Sequence, residues 1–196
     1  MNKGTTFARG AIFRIALVGI CAALIEAVKL ALSGIPNVEG VTLLCALFGY
    51  CFGWYGVLST VVFVSIEPLI YGYNTWVLSY YLYWPFVAIV FLLLRKAKIK
   101  NRFALTGIAV LLTIWFGVLT SLVDVGLFTG FFEDFWHRFA VYYWRGIWFY
   151  VVQIACNAVV FPLLFRPLSD LLIGLENKFF PNRKKSEKTL DKPDET

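Results

Sequence analysis

An all-α integral membrane protein, a six-transmembrane-helix bundle with both termini cytoplasmic, is the fold class this sequence predicts. Three observations predict it. Of 196 residues, 60% are apolar and 15% charged, and the mean hydropathy is +0.73, a balance outside the range of soluble domains. The charges gather in connections and at the C-terminal end, leaving apolar stretches of roughly 17 to 22 residues, the length that crosses a hydrocarbon core about 30 Å thick. Arg95, Lys96, Lys98, Lys100 and Arg102 sit together between two such stretches, which marks that connection as cytoplasmic because basic loops are held on that side during insertion.

Residues 11–32 form the first span. They are too long for the apolar region of a cleaved signal, and they run into Glu26 and Lys29 rather than a small-residue cleavage site. The apolar stretch from 41 to about 70 exceeds one helix, and its glycine and aromatic cluster near residues 50–55 places a turn there, giving two short helices. A fourth span covers 76 to about 94, a fifth 103 to about 126, and a sixth 144–165, where Pro167 halts it. Six spans return both ends to one side. That side holds Lys3, Arg9 and Arg14 before the first span and a basic run from Arg166 to Lys192 after the last, so the positive-inside bias makes it the cytoplasm. Residues 1–170 make one membrane domain, and 171–196 a basic, disordered cytoplasmic tail close to lipid. The net charge of +6 follows from these anchors and calls for no nucleic acid.

Gly19, Ala23, Ala27 and Ala31 recur at intervals of four along the first span. They stack small side chains on one helix face, which admits another helix at close range, either within the domain or from a separate membrane subunit. The connection after this span, residues 33–42, is bent by a proline and two glycines and offers Asn37 and Glu39 at the outer surface. Glu67 precedes Pro68 near the outer end of the third span, where an ionised carboxylate facing hydrocarbon costs about 3 kcal/mol, so it faces the bundle interior or its rim.

After Glu67 come Tyr71, Asn74, Trp76, Tyr80, Tyr83 and Trp84, a dense and uncharged aromatic surface. Such rings form an interfacial belt, and together they also make a stacking wall for a ligand. A second aromatic group surrounds Asp124, Glu133, Asp134, His137 and Arg138 between the fifth and sixth spans, the pattern of an amphipathic lid over the outer end. In the sixth span Arg145, Trp148, Gln153 and Asn157 stand out, Gln153 and Asn157 lying four residues apart on one face. Intramembrane polar groups of this kind point inward, to bond other helices or to read the polar edge of a bound molecule.

Catalytic chemistry is thinly represented. The chain has no phosphate-cradling glycine loop, no paired-histidine zinc motif and no Gly-x-Ser-x-Gly elbow. Without a nucleotide-binding motif it does not hydrolyse ATP alone. Cys21, Cys45, Cys51 and Cys156 lie in or beside apolar segments without metal-ligand spacing, so they pack as small hydrophobes and no metal or cofactor is expected. An enzyme acting on a lipid or prenyl substrate through its carboxylates and the single histidine, His137, is the alternative class; a structural partner without a ligand is a third.

Pro36-Asn37-Val38-Glu39, Glu67 with Ile70-Tyr71-Gly72, Tyr81-Leu82-Tyr83-Trp84-Pro85, and Asn157 followed by Phe165-Arg166-Pro167-Leu168 resemble a known family over residues 10 to 170. These are the substrate-binding S components of energy-coupling factor (ECF) transporters, ABC-type bacterial importers of vitamins and related micronutrients. The resemblance implies that the chain sits in a bacterial cell membrane and is a transport subunit rather than an enzyme. It further implies a ligand captured at the outer face between helix ends and loops, and docking onto a membrane coupling subunit driven by two ATPase subunits. In that picture Gly19, Ala23, Ala27 and Ala31 form the docking stripe. Glu26 and Lys29, three residues apart and able to pair across one helix turn, depart from the family pattern. The abundance of aromatic rings favours a flat, conjugated ligand; a cobalamin-type corrinoid leads, with thiamine precursors and queuosine-type bases open.

Overall fold

The computed structural model describes residues 3–35 and 38–179, and every regular element among them is helical. Helix α1 spans Lys3–Leu32, α2 Val41–Phe52, α3 Trp54–Tyr71, α4 Trp76–Lys96, α5 Arg102–Thr129 and α6 Phe135–Arg145; α7, Ile147–Val160, runs through a π-helical turn, Phe161–Phe165, into α8, Arg166–Phe179. Among the described residues, five stretches are long and apolar enough to cross a membrane: Gly10–Leu32, Trp54–Tyr71, Trp76–Lys96, Arg102–Leu127 and Ile147–Lys178.

Helix α2 is the exception in length. Its 12 residues rise only about 18 Å, yet every one except Leu44 is buried because α1, α3, α4 and α8 pack around it. The turn expected near residues 50–55 falls at Gly53, whose φ of +63° is a left-handed backbone that glycine adopts without a Cβ penalty. Arg95, read as a cytoplasmic anchor, also closes this end of α2. Its guanidinium donates to the carbonyls of Tyr50 at 3.0 Å and Cys51 at 3.2 Å, satisfying groups that a helix C-terminus leaves unpaired. Cys21, Cys45 and Cys51 are buried and Cys156 half-buried, all as free thiols.

Three expectations change. Pro167 does not end the last span, since the helix continues through it to Phe179. Pro162 is the second residue of the π turn and Pro167 falls in the first turn of α8, where the wider turn leaves no α-helical bond for the missing N–H to break. The helix therefore crosses residue 170, where a disordered tail was expected to begin; residues 180–196 lie outside the described part. The sixth span also begins later than residue 144, because the chain turns at Gly146 between α6 and α7.

Helix α6 is amphipathic and has no buried residue. It leans on α5, where Asp124 accepts bonds from the hydroxyls of Tyr142, at 2.7 Å, and Thr75. The bond to Asp124, with partial burial, pushes the Tyr142 hydroxyl up to about 12. A raised value means the tether is fully present below the ordinary pKa of 10.0 and is lost as pH climbs through about 12. Tyr142→Phe is expected to speed amide exchange throughout residues 135–145 while leaving α4 protected, as read by hydrogen exchange; equal protection in both proteins would show that the bond holds nothing in place.

Candidate functional site

Where α1 ends and α4 begins, at the end of the bundle opposite the basic connection, the helices part around a cavity of about 200 Å³. Lys29 and Leu32 of α1, Phe63 of α3, Tyr80 and Trp84 of α4, Phe116 of α5, and Phe149 and Gln153 of α7 line it, and the connection after α1 closes it with Ser33, Ile35, Val38 and Glu39. One wall is a continuous aromatic surface. The rings of Trp76 and Tyr80 meet edge to face at 5.0 Å, Tyr80 and Trp84 at 5.6 Å, and Trp84 and Phe116 lie 5.7 Å apart with planes tilted 31°.

Glu39 is the knot of the rim. Its carboxylate accepts from the backbone N–H of Thr42 at 3.1 Å, from the Thr42 hydroxyl at 2.5 Å and from Asn157 Nδ2 at 3.1 Å. The first bond satisfies an orphan donor in the opening turn of α2. Asn157 Nδ2 also donates to Thr113 Oγ1 at 3.0 Å, so one amide fastens the connection and α7 to α5. Glu39 and Asn157, both expected to meet ligand, thus meet each other first.

Beside the cavity, Lys29 forms an ion pair with Glu67. The short spacing to Glu26 suggested a pair within α1; the structure instead joins Lys29 to a carboxylate 38 residues away, fully buried on α3. The Lys29 ammonium also lies over the rings of Tyr71 at 4.4 Å, Tyr80 at 5.4 Å and Phe63 at 6.0 Å, favourable electrostatics for a cation away from water.

Of the residues expected in a site, Glu39, Tyr80, Trp84 and Gln153 line the cavity, Glu67 and Tyr71 hold Lys29, Trp76 backs Tyr80, and Tyr83 is buried in the wall behind. Three do not come together with them. Asn74 is exposed and bonds the N–H of its neighbour Thr75. Arg145 and Trp148 are exposed at the α6–α7 bend and line no part of the cavity: Arg145 precedes the break at Gly146, and Trp148, five residues before Gln153 on α7, lies on a different face of that helix. Asn37 lies outside the described residues. Sequence reasoning did not single out Lys29, Phe63, Phe116 or Phe149 as site residues; only Lys29 carried a signal, as an intramembrane charge.

Several buried polar atoms here have no hydrogen-bond partner among the described residues: Trp84 Nε1, Gln153 Oε1 and Asn157 Oδ1. Each such atom costs about 1–3 kcal/mol, and their concentration around one cavity is the arrangement a polar-edged ligand relieves. No group of three or more metal-ligating side chains occurs among the described residues. Comparisons with protein-family models, curated proteins and solved structures give no match.

Proposed function

We propose that this chain is the substrate-binding membrane subunit of an energy-coupling factor type ABC importer. In this reading it sits in a bacterial cell membrane with six spans, α2 being the short buried one, and both termini in the cytoplasm. The cavity then opens to the outside and captures a vitamin or related micronutrient. A coupling subunit and two ATPases drive release to the interior, and the chain supplies binding without ATPase chemistry of its own.

The cavity carries the proposal: a small chamber walled by aromatic rings, rimmed by charge and set among unpaired polar atoms is what a flat, polar-edged molecule needs. Its volume of about 200 Å³ lies below the 300–1,000 Å³ or so common for small-molecule sites. That favours a single heterocycle over a corrinoid, which enters only if the connection after α1 draws aside. Helix α1 adds support, since Gly19, Ala23, Ala27 and Ala31 are all exposed while Cys21, Ala22 and Ile25 pack inward. The small-residue stripe is therefore not consumed by packing within the described bundle, and a close-fitting partner helix suits it.

The alternative, an enzyme acting on a lipid or prenyl substrate through its carboxylates and His137, places its chemistry elsewhere, since His137 lines a separate recess with Asp134 and Trp136. The importer reading is tested by uptake. Ala23→Trp and Ala27→Trp are expected to abolish accumulation of the ligand in cells and co-purification of the coupling subunit, with the affinity of the purified chain unchanged. Full uptake by both variants would remove the docking role from this face.

A further inference from the structure

The charges at the cavity are already engaged by the fold. Lys29 is the only cation among the described residues that line it, and it is paired with Glu67. Glu39 is the only anion among them, and its carboxylate accepts three hydrogen bonds, two from Thr42 and one from Asn157. Arg145 is exposed outside the cavity, and Asp124, which does not line it either, is held by the hydroxyls of Thr75 and Tyr142. A charged ligand would therefore enter a chamber with no free countercharge, and a charge taken out of water without one is costly.

Two polar groups of the lining residues are not engaged. Trp84 is 4% exposed and Gln153 7%, both line the cavity, and the indole Nε1 of the first and the amide Oε1 of the second have no hydrogen-bond partner among the described residues. Trp84 belongs to α4 and Gln153 to α7, and both helices pack on α5. The indole N–H is a donor only, and the amide oxygen an acceptor. Rings of Tyr80, Tyr83 and Phe116 hold the indole, so the direction of its N–H is set before a ligand arrives. The terminal torsion of glutamine is soft, which lets the amide turn to meet one. Phe63, Tyr80, Phe116 and Phe149 supply the faces against which a flat body stacks.

We infer that the cavity selects an uncharged aromatic heterocycle carrying both a hydrogen-bond acceptor and a hydrogen-bond donor, the chemistry of a carboxamide or a lactam. The Trp84 indole N–H takes the acceptor and the Gln153 amide oxygen takes the donor. The inference rests on the reading of the chain as a ligand-capturing subunit and narrows its substrate class. Lys29 and Glu39 shape the rim, and the two neutral groups read the ligand.

Four probes on one ring test it, each titrated by calorimetry and thermal shift into the purified full chain. Nicotinamide is neutral and has both groups; 3-acetylpyridine replaces the amide nitrogen by a methyl and lacks the donor; nicotinate is an anion and 1-methylnicotinamide a cation. Nicotinamide is expected to bind more than about tenfold tighter than each of the others, because a ligand without the donor leaves the acceptor of the site unpaired. In Gln153→Leu the advantage over 3-acetylpyridine disappears and the preference over the two ions stays. The melting temperature of the empty variant is unchanged or raised, since the lost oxygen held no hydrogen bond. Trp84→Phe weakens nicotinamide and 3-acetylpyridine alike, because both lose the donor to the same carbonyl. The inference is overturned if either ion or 3-acetylpyridine binds as tightly as nicotinamide, if nicotinamide produces no binding at all, or if Gln153→Leu keeps the full discrimination. Failure of the two ideas can be told apart. A charged vitamin that binds and is imported leaves the importer reading standing and removes this substrate class. A clear preference for nicotinamide in a chain that imports nothing does the opposite.

Discussion

Gly49→Val is expected to prevent the chain from folding to a monodisperse, thermally stable state. A Cβ at residue 49 would lie 2.1 Å from the carbonyl oxygen of Ala88 and 2.7 Å from its carbonyl carbon and Cα. These are backbone atoms, so no rotamer change relieves the clash; α2 and α4 must separate. Helix α2 is buried on nearly every side, and moving it opens the core that supports Trp84 and the cavity. Overpacking a core costs about 1–3 kcal/mol even where side chains can adjust, and a backbone clash lies at or beyond the upper end. Gly56 is held the same way, since a Cβ there would lie 2.0 Å from the Phe48 carbonyl oxygen. Gly19→Ala is the matched control: nothing lies within 4 Å of its added methyl, and the exchange gains about 1 kcal/mol of helix propensity. Melting curves and size-exclusion profiles in detergent compare them, and a Gly49→Val protein as stable as the parent would show that α2 and α4 do not approach this closely.

Glu67→Ala carries the second large effect. It leaves the Lys29 ammonium, 26% exposed at its side chain, among the rings of Tyr71, Tyr80 and Phe63 without its ion partner. Breaking a buried pair by removing one member costs about 3–5 kcal/mol, and the flexible lysine stem brings the expected loss to the lower part of that range by reaching toward water. Removing both partners, as in Lys29→Met with Glu67→Leu, is expected to recover most of the stability, since neither member of the pair is then left without the other. A double-mutant cycle by thermal unfolding measures the coupling directly. Additive losses from the two single changes would mean that Lys29 and Glu67 do not pair.

Much of the architecture was legible because apolar length is a direct readout of a membrane environment. The spans at Trp54–Tyr71, Trp76–Lys96 and Arg102–Leu127 lie close to the expected stretches, and Gly53 turns the chain where glycine and aromatic residues cluster. Helix α7 was half legible. The four-residue spacing of Gln153 and Asn157 put both on the buried face, while Arg145, chosen for residue type, lost its place when the helix broke at Gly146, and Trp148, five residues before Gln153 on the same helix, falls on another face. Residue type says what a side chain can bind; helix phase and the break decide which way it faces. The ion pair was hidden for a different reason. Lys29 has an acidic neighbour at helix spacing, and nothing local reveals that the packing of α1 on α3 brings Glu67 closer. Pro167 looked like a stop because the rule for proline presumes an α-helical ladder, and the π turn before it removes that ladder.

Ligand binding by the purified full chain tests the central claim most directly, through its thermal unfolding midpoint against a panel of vitamins and related heterocycles. The account predicts that one compound raises the midpoint saturably, by the equivalent of about 2.7 kcal/mol at a hundredfold excess over its dissociation constant, and that Gln153→Ala and Trp84→Ala blunt the rise. A panel in which no micronutrient moves the midpoint of the folded parent protein would contradict it.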